Sequence, residues 1–283
     1  YDPADVPLPD NFECRTSAQN SLKARMLETA YYRDGHSGMQ LRTDDDWRRM
    51  IAHYWGLCSQ VDTHAGRILD QLEACGLTDE TIVVFTSDHG DMMGAHGLLA
   101  KCVMFEEAVR VPLLLRLPGQ NRQVRVGDPV SQVDLVPTLL DLLDEEIPPA
   151  LQGKSLRPAL ESGRPTHGEP VVIEWNGPNN GGLSRYGESG YDGVRPPDVS
   201  AAAAAAAVTD PVRTIITADG WKLNWSPRGE SELYNLDADP GETHNRIGDA
   251  GCSGVVQRLC EGIRQWQRTT GDTASGPPAA AGA

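Results

Sequence analysis

The sequence is poor in positive charge. It has four lysines and 21 arginines against 40 acidic residues, which leaves a formal net charge of −15. Proteins that bind nucleic acids need a basic surface, so we expect no nucleic-acid partner. An acidic protein also repels anions at long range, so any anion site must depend on positive charge close to it.

The sequence also lacks long hydrophobic runs and metal-type cysteine spacing. No segment reaches the roughly 18 consecutive apolar residues of a membrane-spanning helix, so we expect no membrane span. The cysteines contain no C-x-x-C pair, so scattered thiols are expected and a disulfide is left open. With 283 residues, 39% of them hydrophobic, the chain is long enough for one or two domains with a real core.

A buried strand is predicted at residues 81–86. This run is apolar and β-branched without alternation, which is typical of a strand covered on both faces of a parallel sheet. Asp88 and His89 follow at its carboxyl end, the edge at which open α/β sheets bind ligands. A sharp turn there would direct both side chains at one ion, whereas a plain turn with a solvated His89 is the alternative.

The loop after this turn carries two more polar groups. His96 and Lys101 lie on it, and its glycines let the backbone fold back closely. A hard divalent cation with oxygen and imidazole ligands, together with a nearby lysine, can hold an anionic group. The segment therefore predicts a cation site beside a lysine.

Periodicity predicts the other elements of the first 160 residues. We expect a short helix at 22–32, a long helix from the acidic cluster 44–46 to Gly76, a second buried strand at 111–117 and a helix at 134–143. The apolar positions of the long helix recur at three- and four-residue steps and form a single stripe. They are Ile51, Tyr54, Trp55, Cys58, Val61, Ala65, Ile68, Leu69 and Leu72. This order of helices and strands favours an α/β layer sandwich.

A different pattern begins near residue 160. Short strands are predicted at 171–175, 212–218, 221–225 and 232–236, with Asp219-Gly220 as a two-residue hairpin turn. A helix with Val255, Val256, Leu259, Ile263 and Trp266 would cover them. We therefore predict an α/β domain at 1–160 and a small α+β subdomain at 161–270. The latter contains a low-complexity insertion at 176–207, whose alanine run is a candidate helical spacer, and a disordered tail follows at 271–283.

Several motifs occur in one order over most of the chain. They are Ser87-Asp88-His89-Gly90, Gly94-Ala95-His96-Gly97 and Lys101, then residues 105–113, 117–119 and 133–140, and finally 232–236 and 239–245. In this order they resemble the sulfatases of the alkaline phosphatase superfamily, of the choline-sulfatase and iduronate-sulfatase type. An ordered set of this length is much more specific than any single motif.

The resemblance implies a fold and a site. The fold is α/β, a partial alkaline-phosphatase-like sandwich with a smaller carboxyl-terminal antiparallel-sheet subdomain. Asp88 and His89 would bind calcium, with magnesium or manganese as alternatives. Lys101 would be a catalytic residue that contacts the sulfate oxygens. His96 would either contact the substrate or support the loop.

The family's nucleophile is not found in this sequence. Relatives carry a formylglycine, made from the Cys or Ser of a C-x-P-S-R type of motif near the amino terminus, and an early Asp-Asp metal pair. Cys14-Arg15-Thr16-Ser17 lacks the proline and arginine in their places, so we expect an ordinary cysteine. Residues 1–12 resemble the proline-rich stretch that follows the first half of the catalytic domain. The expectation is the carboxyl-terminal part of a sulfatase, inactive by itself.

The implied reaction is metal-dependent hydrolysis of a sulfate monoester on a small molecule or a sulfated glycan. A phosphonate or phosphate ester hydrolase of the same superfamily is one alternative, because the nucleophile would decide between them. A non-catalytic truncated partner protein is another. The expected protein partner is the missing amino-terminal half or a second copy of the chain.

Overall fold

The computed structural model of the protein describes residues 1–16, 21–33, 41–163, 168–177 and 196–279. The described residues of Tyr1–Arg122 and Glu188–Ala205 form one compact unit, and those of Gln123–Gly187 and Ala206–Ala283 form a second. The domain boundary near residue 160 stays a prediction. Across the described ranges, no helix is both long enough and apolar enough to cross a bilayer.

The first unit begins with the two predicted helices, α1 at Leu22–Arg33 and α2 at Asp44–Ala74. A capping box fixes the start of α2. The Thr43 hydroxyl accepts a hydrogen bond from the Asp46 backbone N–H at 3.2 Å, and the Asp46 carboxylate accepts one from the Thr43 N–H at 3.0 Å. Gly76 follows the helix end with a φ of 69°, which confirms it as the predicted stop.

The apolar stripe of α2 is covered only at its amino-terminal end. Trp47 and Ile51 are buried there, and Trp47 packs edge to face on Phe12 with ring centroids 5.6 Å apart. Beyond Ala52 most of the stripe is exposed, at Cys58, Val61, Ile68 and Leu69. Trp55 is 37% exposed and still packs edge to face on Tyr1, with ring centroids 5.4 Å apart. The predicted helix is confirmed, and its stripe is buried over only part of its length among the described residues. The periodicity predicts which side of the helix is apolar, but it does not predict which residues pack against that side.

Two short strands complete the predicted elements of this unit. β1 at Val83–Thr86 pairs with β2 at Leu113–Arg116, and a one-turn helix, α3 at Glu106–Val109, precedes β2. The pairing is antiparallel, with Thr86 opposite Leu113. The parallel, fully covered arrangement predicted for this strand is wrong here, because the loop after β1 returns the chain alongside it. A run of apolar residues does not specify strand direction.

The second unit begins with short helices. A 3₁₀ turn at Gln132–Asp134 leads into α4 at Leu135–Leu142, and α5 follows at Arg157–Ser162. Ser131 and Asp134 form a capping box at the start of this segment. The buried Thr138 hydroxyl accepts a hydrogen bond from the Leu156 N–H at 2.9 Å, so α4 is tied to the start of α5.

The main sheet of the second unit has four antiparallel strands in sequence order. These are β3 at Val171–Trp175, β4 at Val212–Ile216, β5 at Trp221–Trp225 and β6 at Glu232–Asn235. A polyalanine helix, α6 at Ala201–Val208, precedes β4, and α7 at Ser253–Thr270 covers the sheet. The shared core is formed by Ile215, Leu223, Leu233, Cys252, Leu259, Cys260 and Ile263. Full burial of each large apolar side chain contributes roughly 1.5–3 kcal/mol to the stability of the fold. The predicted antiparallel-sheet subdomain is confirmed.

Three predictions for this unit need correction or restriction. Asp219-Gly220 belongs to a three-residue loop, because the Thr217 N–H bonds to the Trp221 carbonyl at 3.0 Å and Gly220 has a φ of 75°. Asp272, predicted to be disordered, binds Arg213 through hydrogen bonds of 2.7 and 3.0 Å. Residues 178–195 of the predicted insertion lie outside the described residues, as do 280–283 of the tail.

Candidate functional site

The turn after β1 is closed by its own polar groups. The Ser87 hydroxyl donates to the His89 carbonyl at 2.8 Å, and the Asp88 Oδ1 accepts from the His89 backbone N–H at 2.9 Å. This second hydrogen bond lowers the pKa of the Asp88 carboxyl below its usual value. The carboxylate of Asp88 is therefore ionised at neutral pH.

The imidazole of His89 is held in one orientation. Its Nδ1 lies 2.8 Å from the Gly90 carbonyl, and a carbonyl only accepts hydrogen bonds, so Nδ1 carries a proton. In the neutral ring the lone pair is then on Nε2, which lies 3.4 Å from Oδ2 of Asp88. A hydrogen bond from the second ring nitrogen to a backbone carbonyl is what orients metal-binding histidines.

The two facing groups suit a divalent cation. A neutral Nε2 lone pair beside a carboxylate oxygen is unfavourable unless a cation or proton lies between them. The Asp88 side chain is 81% exposed, so the pair is open to an incoming ion. Within the described ranges, no group of three or more His, Cys, Asp or Glu side chains is arranged to hold a metal. Asp88 and His89 therefore fit as two ligands of an incomplete set.

Gly90 lets the loop pass close to the segment before β2. Its N–H donates to the Ala108 carbonyl at 2.9 Å, and a Cβ atom at this position would lie 1.9 Å from the Glu107 carbonyl oxygen. No side chain fits there without moving the backbone. The glycine after the Asp-His pair thus fixes the turn against the segment that carries Glu107.

Asp91 organises the rest of the loop. Its Oδ1 accepts hydrogen bonds from the Met93 N–H at 3.2 Å and the Ala100 N–H at 2.9 Å, while the Met92 N–H donates to the Ala100 carbonyl at 2.8 Å. The loop is thereby closed over nine residues, and the exposed Lys101 follows directly after it. The sequence interpretation overlooked Asp91; an acidic residue immediately after the Asp-His-Gly turn is the signal for it.

Backbone strain is concentrated in this loop. Of the six described non-glycine residues with positive φ, four fall between residues 93 and 102. They are Met93 at 42°, His96 at 53°, Ala100 at 63° and Cys102 at 82°. Such conformations cost about 1–3 kcal/mol each and cluster at functional sites, where the surrounding structure enforces them. This stretch is therefore the strongest structural candidate for a functional loop.

His96 lies in the interior of the first unit. Its ring stacks on Phe105 with centroids 3.9 Å apart and an interplanar angle of 11°, and its side chain is buried. Its backbone N–H donates to the Asn11 carbonyl at 3.2 Å, and the Asn11 amide donates to Glu107 at 2.8 Å. The position favours support of the loop over contact with a substrate.

A second lysine lies near Lys101. Burial raises the pKa of the Cys102 thiol, and the positive charges of Lys23 and Lys101 act in the opposite direction. Helix α1 therefore brings Lys23 within electrostatic reach of the same thiol as Lys101. Two of the protein's four lysines thus act on one thiol although they lie 78 residues apart in the sequence.

Known proteins are similar to this chain in sequence and in fold. The family profile described as Sulfatase matches residues 8–145. The multifunctional alkaline phosphatase superfamily protein PehA of Trinickia caryophylli is 35% identical over 175 residues, which are 59% of this chain and 34% of that protein. The uncharacterized sulfatase YidJ of Escherichia coli K12 is 32% identical over 212 residues, 74% of this chain and 36% of YidJ.

A solved structure extends the similarity to nearly the whole chain. The phosphonate monoester hydrolase of Silicibacter pomeroyi superposes with a TM-score of 0.73 and 25% identity, and the match covers 95% of this chain and 52% of that one. The chain thus spans about a third of the length of the curated relatives it matches and about half of this structure. Its fold is alkaline-phosphatase-like α/β with a small antiparallel-sheet subdomain, and the chain belongs to the sulfatase family.

Proposed function

We propose that this chain supplies part of the active site of a metal-dependent sulfatase that hydrolyses sulfate monoesters. The single observation that carries the proposal is the arrangement of Asp88 and His89, whose Oδ2 and Nε2 atoms face each other at 3.4 Å while the Gly90 carbonyl fixes the ring. Calcium is the ion we propose, with magnesium or manganese as alternatives. The remaining ligands and the formylglycine nucleophile would come from residues outside this chain.

The proposed roles follow from the chemistry of each group. A bound divalent cation would supply positive charge that stabilises the anionic oxygens of the transferring group. Lys101, exposed at the end of the loop, would donate hydrogen bonds to those oxygens and hold the ester in place. His96 would support the loop from its buried position. Local charge of this kind is needed because the whole protein, at −15, repels sulfate esters at long range.

Hydrolysis of phosphonate monoesters is the second candidate. The observation that favours it is the structural match to the phosphonate monoester hydrolase of Silicibacter pomeroyi over 95% of this chain. Sulfate and phosphonate monoesters both carry anionic oxygens that a cation and Lys101 would bind in the same way. A third candidate, a non-catalytic partner protein, is favoured by the exposed apolar stripe of α2, which requires a covering surface but no chemistry.

Calcium binding by the purified chain tests the proposal. Isothermal titration should show binding to the unmutated protein and none to the Asp88→Ala, His89→Ala double variant. A matched control, Asp62→Ala with His64→Ala, removes the same residue types from the exposed side of α2 and should bind as the unmutated chain does. Equal binding by all three proteins, or none by the unmutated chain, contradicts the assignment of Asp88 and His89.

Turnover separates the functional candidates. The chain alone should hydrolyse neither an aryl sulfate nor an aryl phosphonate monoester, because the proposed nucleophile lies outside it. Turnover of either ester by the purified chain, abolished by Lys101→Ala, would show that the nucleophile is present in this sequence and overturn that part of the proposal.

A further inference from the structure

A buried asparagine joins the candidate loop to the segment before β2. Asn11 is 5% exposed, and its backbone carbonyl accepts a hydrogen bond from the His96 N–H at 3.2 Å. Its side-chain amide donates to Oε1 of Glu107 at 2.8 Å, although the two residues lie 96 positions apart in the sequence. One residue therefore holds both the loop after β1 and helix α3.

The helix that Asn11 reaches is the one that supports the turn after β1. The Gly90 N–H donates to the Ala108 carbonyl at 2.9 Å, and a Cβ atom at Gly90 would lie 1.9 Å from the Glu107 carbonyl oxygen. The Gly90 carbonyl, in turn, lies 2.8 Å from Nδ1 of His89. The two backbone groups of this glycine thus connect the position of α3 to the orientation of the His89 ring.

A second contact ties the loop to α3. Phe105 is the amino-terminal cap residue of α3, and its ring stacks on His96 with centroids 3.9 Å apart. The φ of His96 is 53°, a conformation that persists only where the surrounding structure enforces it. Asn11, the loop and α3 therefore form a closed set of contacts, so that a shift of α3 would move the loop and the turn together.

The hydrogen bond between Asn11 and Glu107 is suited to fixing a geometry. An amide that donates to a carboxylate makes a stronger hydrogen bond than two neutral groups do. Such a bond can serve stability alone, in which case its removal lowers stability and nothing else. If it also sets the position of α3, its removal changes the orientation of the His89 ring.

We infer that Asn11 and Glu107 are positioning residues of the candidate site. Their hydrogen bond holds α3 where the Gly90 carbonyl turns Nε2 of His89 towards Oδ2 of Asp88, 3.4 Å away. The route from the two residues to this pair runs through α3 and Gly90. The inference deepens the proposed function and rests on it for the ion that the pair would bind, but not for the geometry of the pair.

Nuclear magnetic resonance of the His89 ring tests the inference. Spectra that correlate ring protons with ring nitrogens show which nitrogen carries the proton, and EDTA keeps metal ions out of this reading. At about pH 8.5, where an ordinary imidazole is neutral, the unmutated chain should carry the proton on Nδ1 of His89. The His89→Gln spectrum assigns the signal. In Asn11→Ala the Gly90 carbonyl is less firmly placed, so the ring should populate both tautomers.

Calcium affinity gives a second reading, by isothermal titration. Asn11→Ala and Glu107→Ala should each weaken binding by about three- to tenfold, less than the roughly 10- to 100-fold typical of groups bonded directly to a metal ligand. Glu107→Gln keeps a side-chain oxygen that accepts from the Asn11 amide, so it should retain the tautomer and most of the affinity. Glu107 is only half-buried, so its variants decide the question if Asn11→Ala does not fold.

A matched hydrogen bond in the second unit supplies the control. The Asn224 amide donates to Oε2 of Glu232 at 2.9 Å, and both residues are buried. Asn224→Ala removes the same kind of contact from β5 and should lower the urea midpoint, as Asn11→Ala does. It should leave the His89 tautomer unchanged and the calcium affinity within about twofold of the unmutated value.

Two results would overturn the inference. If Asn11→Ala and Asn224→Ala lowered stability alike and neither changed the His89 ring, Asn11 would serve stability alone. If Glu107→Gln behaved like Glu107→Ala, the hydrogen bond would not be the link to the site. Absence of calcium binding by the unmutated chain would count against the proposed function instead, and the ring spectra in EDTA would still decide the role of Asn11.

Discussion

The two sheets of the protein differ in how their apolar side chains are covered. In the second unit, the four strands β3 to β6 lie under α7, and Leu223, Leu233 and Ile263 are fully buried between them. In the first unit, β1 and β2 form a two-stranded layer whose Phe85 and Leu114 are exposed. The four-stranded sheet is thus covered by a helix and a shared core, whereas the β1–β2 pair is exposed at Phe85 and Leu114 among the described residues.

The better covered sheet and the candidate functional site lie in different units of the chain. A two-stranded pair is marginal by itself, and three or more strands with a covered face are needed for independent stability. The candidate site nevertheless begins at the end of β1, in the less complete unit. The chemistry proposed here therefore depends on the unit whose strand pair is less covered, although that unit has a buried core of its own around Trp47, Phe12 and Phe105.

The largest expected loss of stability comes from a substitution in the covered core of the second unit. Leu223→Ala removes a fully buried side chain at the centre of the sheet under α7 and should lower the free energy of unfolding by about 3 kcal/mol. Leu114→Ala makes the same substitution on the open strand pair and should cost less than about 0.5 kcal/mol. Urea unfolding followed by tryptophan fluorescence measures both. Similar costs at the two positions would show that Leu114 is covered in solution and would break the comparison.

A smaller effect is expected from the ion pair that anchors the tail to the sheet. Arg213 is buried in β4, and its hydrogen bonds to Asp272 lower the pKa of that carboxyl to about 2. Asp272 is thus more acidic in the folded than in the unfolded protein. The pair stabilises the fold fully above about pH 4, and this contribution is lost as the pH falls through about 2.

Asp272→Asn tests this pH dependence. The variant should be less stable than the unmutated protein by about 2 kcal/mol at pH 7, and the difference should shrink between pH 4 and about pH 2. Urea unfolding at several pH values gives the two curves. Asp70→Asn is the control, because Asp70 is an exposed residue of α2, and it should follow the curve of the unmutated protein. Parallel curves for Asp272→Asn would mean that the ion pair contributes nothing to folding.

Much of the fold could be predicted from local sequence patterns. The helix α2 with its acidic first turn, the strands β3 and β5 and the helix α7 occur where the sequence pattern predicted them. The direction of β1 could not be predicted, because apolar composition is the same for parallel and antiparallel strands. The exposure of the α2 stripe could not be predicted either. A sequence pattern shows which face of a helix is apolar, but it does not show which residues pack on that face.

The candidate site divides in the same way. Asp88 and His89 were found because they follow a strand in an uninterrupted motif, and the structure brings their Oδ2 and Nε2 atoms to 3.4 Å. Asp91 and Lys23 were overlooked, since the first acts on backbone N–H groups of a folded loop and the second is distant in sequence from Lys101. Such contacts depend on tertiary structure and cannot be predicted from residue types and their spacing in the sequence.

The smallest expected effect compares one substitution in the two helices. Gly66 lies in the uncovered part of α2, and a Cβ atom there would have no neighbour within 4 Å. Gly66→Ala should therefore stabilise the helix by about 0.5–1 kcal/mol through the lower entropy of the unfolded chain. Hydrogen exchange of the neighbouring amides should slow by roughly two- to fivefold, with β5 unchanged.

Gly262→Ala in α7 is the matched control with the opposite expectation. Its Cβ atom would lie 2.6 Å from Cδ1 of Ile215 in the core, so the covered helix has no room for the added methyl group. This variant should lose about 1 kcal/mol of global stability, and the exchange of β4 amides should accelerate. If Gly66→Ala also destabilised the protein, α2 would be packed against another element in solution. The same change thus distinguishes a helix whose apolar face is open from one whose face is already covered.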